Sequence, residues 1–147
     1  MKSSIYFTVL FLFFGLTITS CKKQGCTDTF ADNYDSSAEE DDGSCGYSMN
    51  MVFWFNDARA THYDDAGALS PMHVKVNGVD VGEVNWFTTF ANAPSCGTVG
   101  GTVNYKHSMT EHFEDVQIEY VDQMGNSFGT TTVNVAISEG DCKAILF

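Results

Sequence analysis

Several short segments after Met49 carry apolar residues at every second position, and that period marks them as strands. The segment His73–Gly82, HVKVNGVDVG, carries it most plainly. Val74 and Val76 alternate with polar neighbours, Asn77-Gly78 supplies two residues that tolerate positive φ, and Val79 and Val81 resume the alternation. This predicts a hairpin closed by a two-residue primed turn. The period returns in TVNYKH (102–107), in DVQIEYV (115–121) with Val116, Ile118 and Tyr120 on one face, and in TTTVNVAI (130–137) with Val133, Val135 and Ile137 on one face. MNMVFWF (49–55) is an apolar run of strand length, QMGN (123–126) and EGD (139–141) mark turns, and KAILF (143–147) closes the chain. No stretch after residue 20 keeps a helical apolar stripe for three turns. Short strands, six or seven of them, separated by regular turn signals predict an all-β fold: a small antiparallel β-sandwich over residues 48–147. That length suffices for one such domain.

The N-terminal segment sets the compartment. Lys2 precedes Ile5–Ile18, IYFTVLFLFFGLTI, whose 14 residues fall short of the roughly 20 a helix needs to span a hydrocarbon core. Its length and basic flank fit a signal-peptide core. The residues ITSC (18–21) resemble the lipobox of bacterial lipoproteins. That resemblance implies cleavage before Cys21 and acylation of its thiol, which anchors the mature chain in a membrane. Lys22, directly after that cysteine, resembles lipoproteins passed on to the outer membrane, with the leaflet and orientation left open. The chain then divides into a signal peptide (1–20), a tether CKKQ (21–24), an acidic loop module (25–47) and the strand-rich domain (48–147).

Five cysteines in an exported chain leave one over. With Cys21 acylated, Cys26, Cys45, Cys96 and Cys142 form an even set, which in an oxidising compartment predicts two disulfides. Of the three connectivities, Cys26–Cys45 with Cys96–Cys142 staples each segment to itself and is the one expected. A zinc site would want a Cys-x-x-Cys pair or histidines at finger spacing, and the chain has neither.

The stretch Gly25–Cys45, GCTDTFADNYDSSAEEDDGSC, resembles a short module, G-C-T-D-x-x-A-x-N-Y-x-x-x-A-x-x-D-D-G-S-C, found in exported and surface proteins of the Bacteroidota. Thr29 stands where that module usually carries proline, and the likeness covers 21 of 147 residues. It implies an exported, disulfide-closed unit and no activity. Asp28, Asp35, Asp41 and Asp42 offer the hard oxygens that calcium takes. Counting back from Gly43, however, puts Ala38 at the first position of an EF-hand loop, so that pattern fails. Asp and Asn also hydrogen-bond their own backbone in tight turns. A stapled, solvated spacer that needs no cofactor is therefore the expected reading.

Seven basic side chains face nineteen acidic ones, a net charge of −12, and cleavage before Cys21 would remove Lys2 and no acid. Such a chain repels phosphate backbones, so nucleic acid is not an expected partner. Membrane attachment would rest on the acyl chains on Cys21 alone. The histidines His62, His73, His107 and His112 are scattered, and HSMTEH spaces two of them five apart rather than at the four of a zincin helix. HYDD (62–65) reads as an acidic loop, and no Gly-x-Ser-x-Gly elbow or phosphate loop is present. The sequence thus predicts a non-catalytic binding or structural module of the cell envelope, its protein or glycan partner unspecified. A small metal-dependent hydrolase built from His62, Asp64, Asp65, His107 and His112 is the alternative, and it requires those loops to converge. Calcium-dependent adhesion through the Cys26–Cys45 loop is a further one. Trp54, between Phe53 and Phe55, is expected in the core, whereas Trp86, Phe87 and Phe90 divide evenly between core and exposed anchor.

Overall fold

The alternating segments form strands in a computed structural model that describes residues 21–147; the expected signal peptide lies outside the described residues. Two short strands, β1 (Gln24–Gly25) and β2 (Glu40–Asp41), pair within the acidic module. Then follow β3 (Tyr47–Trp54), helix α1 (Asp57–Asp65), β4 (Met72–Val76), β5 (Val79–Val84), β6 (Thr102–Met109), β7 (Phe113–Asp122), β8 (Ser127–Ala136) and β9 (Cys142–Leu146). They make a three-stranded sheet, β6-β3-β9, and a four-stranded sheet, β5-β4-β7-β8. Among the described residues the protein is mostly β, with open sheets and one short α-helix.

The hairpin forms as its sequence dictates. Val76 pairs with Val79, and Asn77 and Gly78 both sit at positive φ, 48° and 80°, as a primed turn requires. The two sheets share one core. Met49, Met51, Phe53 and Phe55 from one side meet Val74, Val76, Val116, Ile118 and Tyr120 from the other, all buried. At its centre Phe147 lies 4.4 Å, ring to ring, from both Phe55 and Tyr120 and 6.0 Å from Phe53. The alternate residues of β3, Val52 and Trp54, are buried too. The 85–101 connection folds back over them: Phe90 N–H donates to Phe55 O, and Cys96 Sγ lies 3.4 Å from Asn50 O. This is why MVFWF reads as a continuous apolar run rather than an alternation. Trp54 and Trp86 are core, while Phe87 is 79% exposed.

Two expectations are corrected. The strands are not antiparallel throughout, because β9 pairs with β3 in parallel, Asn50 opposite Cys142 through Trp54 opposite Leu146. One flank of β3 is taken by β6, and the chain crosses from β8 to the other flank running in the same direction as β3. The expected loop HYDD lies on helix α1 instead. Asn56 caps that helix by accepting the Arg59 N–H at 2.9 Å, with Asp57 complementing the dipole in the first turn. Only Tyr63 is buried, so no apolar stripe announced the helix.

Both disulfides pair as expected, Cys26 with Cys45 and Cys96 with Cys142. The acidic module is docked rather than dangling: Cys26 and Ala31 belong to the same buried cluster as Tyr47 and Met49. Asn33 closes it, donating to Ser44 O at 2.7 Å and accepting the Gly46 N–H at 2.9 Å.

Candidate functional site

The most concentrated polar chemistry lies where the acidic module meets the sheets. Asp28 follows Cys26 by two residues, Tyr47 opens β3, and His112 occupies the turn between β6 and β7. Asp28 Oδ1 accepts the Phe30 N–H at 2.9 Å in an Asx turn. Its Oδ2 accepts the Tyr47 hydroxyl at 2.8 Å and pairs with His112 Nε2. The His112 ring stands edge-on to Tyr47 at 4.9 Å and to Phe30 at 6.1 Å. The Phe30 backbone bond, with His112 and Tyr47 behind it, holds the Asp28 carboxyl down at about 2. The same Asp28 bond pushes the Tyr47 hydroxyl up. Beside this junction an open, mainly apolar depression of about 470 Å³ is lined by Phe30, His112, Phe113, Ala136, Ile137 and Ser138. Phe30 and Phe113 are among the most exposed large apolar side chains of the molecule.

The other calcium candidates are each spent on the module's own backbone. Asp35 accepts the Ser37 N–H at 2.9 Å and pairs with Lys23 Nζ at 2.7 Å, and Lys23 first, Ser37 second, holds its carboxyl below the usual range. Asp41 accepts the Gly43 N–H at 3.0 Å. Asp42 accepts the Ser44 N–H at 2.9 Å, and Ser44 lowers its carboxyl. These are Asx turns, the devices by which short loops satisfy their own amides. Among the described residues no three His, Cys, Asp or Glu side chains gather as a metal site.

The hydrolase candidates are dispersed. His112 packs on Tyr47 at the start of β3, whereas His62, Asp64 and Asp65 lie on α1, beyond the other end of that strand. Its eight residues separate the two ends by about 23 Å, while a shared ion needs all its ligands within about 2–2.5 Å. His107 is buried on β6 and meets Glu114 Oε1 at 3.3 Å, and His73 meets Asp80 Oδ2 at 2.9 Å across the hairpin. Sequence reasoning named Asp28 and His112 for separate roles and missed their pairing across 84 residues. No local pattern encodes a contact of that separation. Cys21 is exposed and unbridged. Among the described residues no helix is long and apolar enough to cross a membrane.

Comparison of the chain with protein-family models, with curated proteins and with solved structures finds no match.

Proposed function

We propose that this chain is a lipid-anchored protein of a bacterial cell envelope, its two sheets a β-sandwich head that serves as a non-catalytic binding or structural module. The observation that carries the reading is the pairing of the cysteines. Four of them close two disulfides and Cys21 stands exposed without a bridge. Disulfides persist in oxidising compartments, and the leftover thiol is the one the lipobox-like ITSC designates for acylation. The module that resembles a Bacteroidota surface unit then works as a rigid collar between anchor and head. Its carboxylates cap turns, and Asp28 and Asp32 tie it to the sheets through Tyr47, His112, Ser48 and Lys106. Of the residues a catalytic reading would use, His112 is engaged by Asp28 and His107 by Glu114, which favours a structural part for those two. The outer membrane is the proposed location, on the strength of Lys22.

Intact-mass measurement of the protein from its native envelope tests this. The expected result is a chain beginning at Cys21 with the added mass of fatty acyl groups, lost when Cys21→Ser is introduced. An unmodified Cys21 thiol overturns the reading.

A further inference from the structure

Phe87 is held in the open. Its ring is 79% exposed, yet the turn that carries it is fastened. Asn85 Oδ1 accepts both the Phe87 N–H at 3.1 Å and the Ser70 hydroxyl at 3.0 Å. Trp86, next along the chain, is buried edge-on against Phe55, and the Phe90 N–H donates to Phe55 O. The Thr89 hydroxyl donates to Asp57 at the start of α1. An apolar ring left in water contributes nothing to the fold by burial. Between this turn and α1 lies a recess of about 220 Å³, lined by Ala60, Thr61, Asp64, Trp86 and Phe87. It sits at the α1 end of β3, the strand's length of about 23 Å away from the acidic module and its tether.

The carboxylate in this recess is placed against the helix's own preference. Asp64 and Asp65 occupy the last turn of α1, where the negative end of the macrodipole disfavours carboxylates. Local rules broken without a compensating contact mark functional positions. Asp64 has no such contact, for its carboxylate makes no hydrogen bond or ion pair among the described residues. Thr61 Oγ1 already gives its hydrogen to Asp57 O at 2.9 Å, so both side-chain oxygens of the recess can only accept. A group that brings donors and no acceptors answers them: the ammonium of lysine or the guanidinium of arginine. The aromatic walls suit the same groups, because a ring face attracts a cation and apolar surface covers the methylene stem behind it. Size and charge narrow the ligand further. The recess is smaller than the roughly 300–1,000 Å³ of sites that enclose a free small molecule, which leaves room for one side chain of a larger partner. A net charge of −12 draws basic partners and repels acidic ones.

We propose that this recess binds a lysine or arginine side chain displayed by a partner protein, the cation on Asp64 and Thr61 and its stem along Phe87 and Trp86. The inference rests on the reading of the head as a non-catalytic binding module and names the chemistry of its partner. Acylation of Cys21 plays no part in it.

NMR shifts of the full-length chain, titrated with the capped peptides acetyl-Ala-Lys-Ala-amide and acetyl-Ala-Arg-Ala-amide, test it. Both peptides are expected to give saturable shifts at Thr61, Asp64 and Phe87. Peptides with norleucine or citrulline in the central position, the uncharged counterparts, are expected to give none at the same concentration. Asp64→Asn and Phe87→Ala, both at exposed positions, are each expected to weaken binding several-fold. Asp65→Asn, one residue along and outside the recess, is expected to change it far less. Absent shifts, equal shifts with the citrulline peptide, or an equal loss in Asp65→Asn each overturn the proposal. The first two outcomes are read on the unaltered chain and need no variant to fold. None of them bears on whether Cys21 is acylated, so the two readings fail separately.

Discussion

Removing the Cys96–Cys142 bridge, as Cys96→Ser/Cys142→Ser, is expected to cost the protein about 4 kcal/mol. The two residues are separated by 46 positions, and closing a loop of that length removes roughly 13 cal/mol/K from the unfolded chain in the entropic model. Both cysteines are only partly buried, so serine adds little desolvation cost of its own. The structure says where the loss falls. β9 pairs with β3 alone, yet it carries Ile145 and leads to Phe147 at the centre of the core. The same bridge holds the 85–101 connection against β3, with Cys96 N–H donating to Cys142 Sγ at 3.0 Å. At about 2.1 cal/mol/K of unfolding entropy per residue, the described length converts the loss into a fall in Tm of about 15 °C. Thermal unfolding followed by circular dichroism measures it, and chevron kinetics locate it. Slower refolding places the closure of this loop before the transition state, and faster unfolding places the docking of β9 after it. A fall in Tm of less than about 4 °C would refute the reasoning.

Phe147→Ala should destabilise by about 4 kcal/mol in denaturant titration, since it empties a site bounded by Phe53, Phe55 and Tyr120; a cost below about 1 kcal/mol would mean the ring is not central to the core. Tyr120→Phe should stabilise by about 1 kcal/mol, because the buried Tyr120 hydroxyl has no hydrogen-bond partner among the described residues, and an equal loss would reveal a partner. The Asp28 carboxyl lies at about 2 in the fold against an ordinary 3.8. Its contribution is therefore complete above about pH 4 and disappears as pH falls toward 2. Asp28→Asn should flatten that acid limb in melts at graded pH without abolishing it, since Asp35 and Asp42 are lowered too. Identical acid limbs in variant and wild type would count against the Asp28 junction.

Local order in the sequence determined much of this protein. The period of two in residues 73–76, 115–121 and 130–137 placed β4, β7 and β8 because alternation is the signature of a strand with one buried face. Asn77-Gly78 fixed a hairpin because few other residue pairs accept two positive φ angles in succession. Parity of the cysteines pointed to the two disulfides found. Three features were decided only in three dimensions. The parallel union of β3 with β9, residues 50–54 against 142–146, joins segments about ninety positions apart and depends on which flank β6 leaves free. Helix α1 rests on the Asn56 cap and one buried tyrosine, too little pattern for a period to register. The Asp28–His112–Tyr47 junction needs the module folded on its disulfide and the β6–β7 turn brought beside it. Turns and periods are set by neighbours along the chain, whereas pairings between distant segments are chosen by the sum of contacts the whole core makes.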